Sequence, residues 1–171
     1  MDFEKATQTA IASGSETAMT LPLWSKLVLF TFLGAFDEAA KTGAELASFS
    51  EESICVSVSA LQFLCHGVSI LAFPKRSRRE AKSYIQRPEI VAKHCKENFQ
   101  NKVDLLEGEL AAYHGNCEQA LKKHRESIRL AKSELVQSEL GLACERAAAV
   151  PQKIGRIFRI HGPHRKSNQG T

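Results

Sequence analysis

The sequence predicts an all-α fold: a right-handed stack of antiparallel helical hairpins, an α-solenoid. Three observations predict it. Apolar residues recur at spacings of three and four through most of the chain, as in Phe99, Val103, Leu106, Leu110 and Tyr113. One design occurs twice, an apolar helix, a glycine (Gly34 or Gly115) and a second helix with alanine five residues on (Ala39 or Ala120). The only clean alternation, Val56 to Ser59, lies inside a longer apolar run, so no sheet is expected. A hairpin of this kind cannot bury its apolar face alone, so such units stack.

Residues 1–19 read as a short helix (3–12) and a linker of small residues, Ser13 to Thr20, around Gly14. The helical-repeat domain then runs over 20–150. Leu23, Leu27, Phe30 and Leu33 place the first strong helix at 20–33, and Phe36, Ala39, Ala40 and Leu46 mark its partner at 36–48. Ser50 is an N-cap candidate ahead of Glu51 and Glu52, which suit the positive end of a helix dipole. The next helix, 51–73, is apolar on all sides and stops at Pro74. An amphipathic stretch follows at 77–97, interrupted by Pro88. The helix from Phe99 closes at Gly115, and Asn116 caps its partner, with Gln119 where a capping box wants an amide. Ala120, Leu121, His124, Ile128 and Ala131 form the partner's buried side. An alanine-rich last helix covers 135–150, and Pro151 ends the pattern. The reading totals about seven or eight helices.

With 171 residues, 43% of them apolar, the chain can bury a sizeable core. Charge is unevenly placed. Lys153, Arg156, Arg159, Arg165 and Lys166 sit in 151–171 with no acid, and together they exceed the net charge of +4. The rest of the chain is therefore close to neutral. The last segment reads as a basic, disordered tail, and no nucleic-acid partner is expected. Five cysteines in odd number, without a C-x-x-C, point to a reducing compartment, the cytoplasm. The first residues lack a basic region followed by an apolar core, so no signal peptide is expected.

The segments Gly34 to Ala39 and Gly115 to Ala120 resemble the turn and second-helix start of tetratricopeptide-type repeats. Gly34, Phe36, Ala39, Gly108, Gly115, Ala120 and His124 would be the repeat-defining positions, with Trp24 and Gly108 near the large and small places of the first helices. The two glycines are 81 positions apart, so longer helices or an intervening hairpin must fill the gap. Residues 94–148, with His94 to Lys102, Leu105 to Leu110 and Glu139 to Ala148, resemble the helical segment that follows the ATPase in very large AAA-type ATPase and sensor-kinase signalling proteins. That resemblance implies a non-catalytic scaffold for a protein partner or a neighbouring signalling domain. The family's pattern continues with a further hairpin after Ala148, whereas this chain turns into Val150, Pro151 and a basic tail. This implies a fragment, or an end in unrelated sequence. No G-x-x-x-x-G-K-[ST] string is present, so the resemblance transfers no ATPase activity.

Each sharper chemistry has a plainer rival. The uncharged run 53–73 followed by Lys75, Arg76, Arg78 and Arg79 has the form of a membrane span with a basic flank. Gln62, His66 and the serines at 53, 57, 59 and 69 favour a helix buried in protein, which weighs against a membrane as a partner and leaves a single-pass membrane protein spanning at about 53–73 as the alternative. Histidines and cysteines lack the paired spacing of a zinc site, so no metal and no cofactor are expected. Cys65 beside His66 and Cys95 beside His94 diverge on a helix and read as buried small hydrophobes rather than nucleophiles. No catalytic residue is assigned. Glu107 and Glu109 read as solvated. Lys26, Lys102 and Glu109, as outward polar residues of first helices, are candidates to line a binding groove.

Overall fold

The computed structural model describes residues 16–49, 56–72, 95–134 and 136–161, with scattered positions within 5–14 and 85–93. They are helical throughout, apart from turns, and among the described residues there is no strand. Among the described residues six helices are delimited: α1 Glu16–Phe32, α2 Phe36–Leu46, α3 Val56–Leu71, α4 Lys96–Tyr113, α5 Cys117–Ser133 and α6 Gln137–His161.

The two glycine turns are the same turn. Gly34 and Gly115 have φ of 72° and 78°, a region open to glycine and costly for other residues. After α1, the Ala35 amide donates to the Phe30 carbonyl (2.9 Å) and the Gly34 amide to Thr31 (3.1 Å). After α4, Asn116 donates to Ala111 (2.9 Å) and Gly115 to Ala112 (3.0 Å). This is the Schellman closure, which satisfies the last carbonyls of a helix while reversing the chain. Ala39 and Ala120, five residues on, are both fully buried. The starts of the second helices differ. Asn116 Oδ1 accepts from the Gln119 amide (3.1 Å), whereas Ala35 offers no side-chain cap and α2 relies on Asp37 and Glu38 in its first turn.

α3 is the centre of the core. Leu64, Val68 and Leu71 join Leu105 and Leu106 of α4 and Leu142 of α6 in one cluster. Cys65 joins Leu23 and Leu27 of α1 and Ala39 and Leu46 of α2 in a second. Ala60 joins Phe99 and Val103 of α4 in a third. A helix without charge needs cover on all sides, and here protein provides it. Its buried Ser69 is matched in kind: it donates to the Cys65 carbonyl (2.7 Å) and lies 3.3 Å from the Thr31 hydroxyl of α1. Within the expected 53–73, the described helix has 16 residues, and no helix among the described residues is long and apolar enough to cross a membrane.

The main contacts join helices one or two places apart in chain order. α1 packs on α2 and α3, α3 on α2 and α4, α4 on α5 and α6, and α5 on α6.

Two boundaries differ most from expectation. α1 begins at Glu16, inside the expected linker, because 16–20 contains no helix breaker. Pro22 then lies within the helix rather than at its start. The last helix does not stop at Pro151 but continues to His161, so 151–161 is helical rather than a disordered tail. A single proline removes one helical hydrogen bond, and Pro151 sits on the exposed side, where that loss is most easily tolerated. The Ser50 cap, the basic cluster at 75–79 and residues 162–171 lie outside the described residues.

Nothing lies within 4 Å of a Cβ added at Gly34 or Gly115, so alanine there costs backbone strain alone. Gly34→Ala and Gly115→Ala should each lower unfolding free energy by about 1–2 kcal/mol, read from urea midpoints at unchanged slope. Two unaltered midpoints would mean that these turns do not need the left-handed conformation.

Candidate functional site

α4 carries the polar chemistry of this chain, and most of it is buried. Asn101, Lys102, Asp104 and Glu109 are all out of water. Lys102 and Glu109 therefore do not line an open groove, and Glu109 is not solvated, contrary to the expectation from sequence. The reason is that α4 is packed by α3, α5 and α6 together, which leaves little outward face.

Two of the buried charges, Lys102 and Glu109, are paired with α6 in a fixed register. Lys102 Nζ lies 2.9 Å from Glu139, and Arg146 donates two hydrogen bonds to the Glu109 carboxylate, at 3.0 and 3.1 Å. Both partners lie 37 positions further along the chain, so α4 and α6 run parallel. Around the first pair, Asn101 donates to Glu139, Lys102 donates to the Asn98 carbonyl (2.7 Å), and Ser127 of α5 donates to the Asn101 carbonyl (2.7 Å). Around the second, His124 Nε2 is 3.5 Å from Glu109, and the Arg146 guanidinium stacks 4.8 Å from the Phe36 ring of α2. Bidentate pairing suits the planar guanidinium and fixes orientation as well as charge.

Glycines make room for imidazoles. A Cβ at Gly108 would fall 2.9 Å from the His124 ring, and one at Gly43 would overlap the His66 ring. Each histidine is thus seated directly on the backbone of a neighbouring helix. Of the repeat-defining positions, the structure brings Gly108, His124 and Phe36 to the Glu109–Arg146 pair. Ala39 lies in the α1–α2–α3 cluster and Ala120 in a cluster with Ala111, Ala112 and Val150. Gly34 and Gly115 lie at the turns.

An open groove of about 430 Å³ runs along the other side of α4. Ala92 and Val103 give it an apolar floor. Glu89, Lys93, Lys96, Gln100, Glu107 and Lys123 give it a polar rim. Part of this rim is held by its own bonds. Lys123 donates to Asp104 (2.8 Å) and pairs with Glu107, while Gln100 donates to Asp104 (3.3 Å). Burial by itself would lower the Lys123 pKa, but the bonds to Asp104 and Glu107 outweigh it and the ammonium is held above its usual value. Lys26, the remaining groove candidate, lies on α1, where its ammonium is 5.7 Å from the Phe30 ring.

The cysteines are not one class. Burial pushes the Cys65 thiol up to about 12, so it is inert at neutral pH. Cys95, expected to be buried, is exposed because it precedes the first turn of α4. Cys144 is exposed on the outer face of α6 and Cys117 is half-buried. Among the described residues no three His, Cys, Asp or Glu side chains are grouped to hold a metal. Compared with protein-family models, curated proteins and solved structures, the chain finds no match.

Sequence reading missed Arg146, Asn101 and Glu139. One signal was present: Lys102 and Glu109 are seven residues apart on α4, and Glu139 and Arg146 are seven apart on α6 with the signs exchanged. Two turns of helix separate each pair, so two parallel helices match both charges at once.

Two measurements check this site. Arg146→Ala and Glu109→Ala should each cost about 3–5 kcal/mol by leaving a buried charge alone. The double replacement Glu109→Leu with Arg146→Met should cost much less than the sum, and additive losses would refute the pairing. Timed alkylation read by mass spectrometry should modify Cys95 and Cys144 first and leave Cys65 protected until unfolding; early labelling of Cys65 would contradict its burial.

Proposed function

We propose that this chain is a non-catalytic, cytoplasmic scaffold, a right-handed solenoid of tetratricopeptide-like hairpins. It would bind a protein partner or a neighbouring signalling domain, as the resemblance to ATPase-associated repeat segments implies. In this reading α1, α3, α4 and α6 form one layer, and α2 and α5 lie in the other. Two matching turns and the order of helix contacts support it.

The observation that carries the reading is the groove along α4. It is shallow and open, with an apolar floor and a charged rim, which suits an extended or helical segment of protein better than an enclosed small molecule. Its α4 wall is already fixed to α6 by buried ion pairs, so little ordering of that helix would be needed on binding.

A photo-crosslinking residue at Gln100 should capture a discrete partner, while the same group at the outward Glu118 of α5 should not. With the purified partner, Gln100→Arg should weaken binding by roughly tenfold, about 1.4 kcal/mol, without lowering thermal stability. Equal capture from both positions, or unaltered affinity of the variant, would remove the groove from consideration.

A further inference from the structure

α1 has a bare apolar face. Leu21, Leu29 and Leu33 are 54%, 42% and 70% exposed, and they are three of the four large hydrophobics on the surface of the described residues. With Pro22 and Ser25 they lie on one side of the helix, opposite Leu23, Leu27 and Thr31, which are buried against α2 and α3.

The second hairpin shows what covers such a face. Gly34 and Gly115 set the equivalence of the two hairpins, 81 positions apart. On α4 the row Phe99, Val103, Leu106 and Leu110 is packed against Ala60, Leu64, Val68 and Leu71 of α3. The equivalent row on α1 is Ala18, Pro22, Ser25 and Leu29, and its members are half-buried or exposed. A helix packed along its length thus covers this row in one hairpin and not in the other.

The other end of the chain offers a helix of fitting shape. The outer face of α6 exposes Gly141, Cys144, Glu145 and Ala148. A Cβ at Gly141 would meet nothing within 4 Å, so this face is open and shallow. Protruding leucines and a small-residue face are complementary in relief, as Leu23 and Leu27 already are to Ala39 inside the chain. The flanking charges are complementary too, with Lys26 beside the leucines and Glu145 beside Gly141.

We propose that α1 of one copy docks on α6 of a second copy, head to tail, so that the helical array continues from molecule to molecule. The contact is heterologous: each copy offers α1 at one end and α6 at the other, so association is open-ended rather than a closed pair. This inference does not rest on the groove or its partner.

The test uses the full chain alone. Sedimentation over a range of concentrations should show association with a dissociation constant on the order of micromolar, as a small helix–helix contact allows. Leu29→Glu and Ala148→Glu should each weaken self-association by at least roughly tenfold while leaving the circular dichroism melt unchanged. The two variants mixed should form a heterodimer and nothing larger, since one intact α1 meets one intact α6. Under mild oxidation, Leu29→Cys should link to Cys144 of another copy. A chain monomeric up to roughly 1 mM, variants that associate like the parent, or a link from position 29 to position 29 would overturn the proposal.

Discussion

α4 is buried on nearly every side, and it is charged. Lys102, Asp104 and Glu109 are removed from water, and a buried charge without a partner is among the most costly features a fold can contain. Each must be met from within the chain, and the partners lie on two other helices. Glu139 and Arg146 place α6 parallel to α4, and Lys123 ties α5 to the same helix through Asp104. Slipping α6 by one residue would break both of its pairs. Apolar packing tolerates small shifts, whereas two matched charges two helical turns apart admit a single register. The groove inherits this rigidity, because α4 and α5 form much of its wall.

α3 imposes a constraint of the opposite kind. It bears no charge, and each of its sides is apolar or lightly polar. It therefore accepts neighbours in every direction and unites three hydrophobic clusters. The first hairpin is held to the second largely through it. The Arg146 guanidinium over Phe36 adds a separate link from α6 to the start of α2. A nonspecific apolar hub and a specific ionic register do different work: one supplies burial, the other alignment.

The buried ionic side chains are engaged with one another, and Cys65 is too deeply buried to act as a nucleophile. What remains accessible is surface: a polar-rimmed groove along α4, a leucine face on α1 and a small-residue face on α6. The surfaces belong to different ends and sides of the helix array, so occupancy of one does not block the others.

The helical class, the two hairpins and their turns were legible in the sequence, because the signals are local. Glycine in the left-handed region, alanine at a close approach and apolar residues at spacings of three and four depend on the chain within a few residues of themselves. The N-cap at Asn116 and the burial of Ala120, His124 and Ala131 on α5 followed from the same local rules. The start of α1 and the end of α6 were not legible: small residues around Gly14 suggest a linker where the helix already runs from Glu16, and Pro151 suggests an end where the helix continues to His161. Nor was the state of Lys102 and Glu109. A charged residue reads as solvated until the helix that covers it is known, and α6 lies 37 positions away. By itself the sequence determined the helical class and where the two hairpins turn. Only the tertiary structure decided which charges are buried, which cysteines are exposed and which helix faces stay open, because burial depends on neighbours distant along the chain.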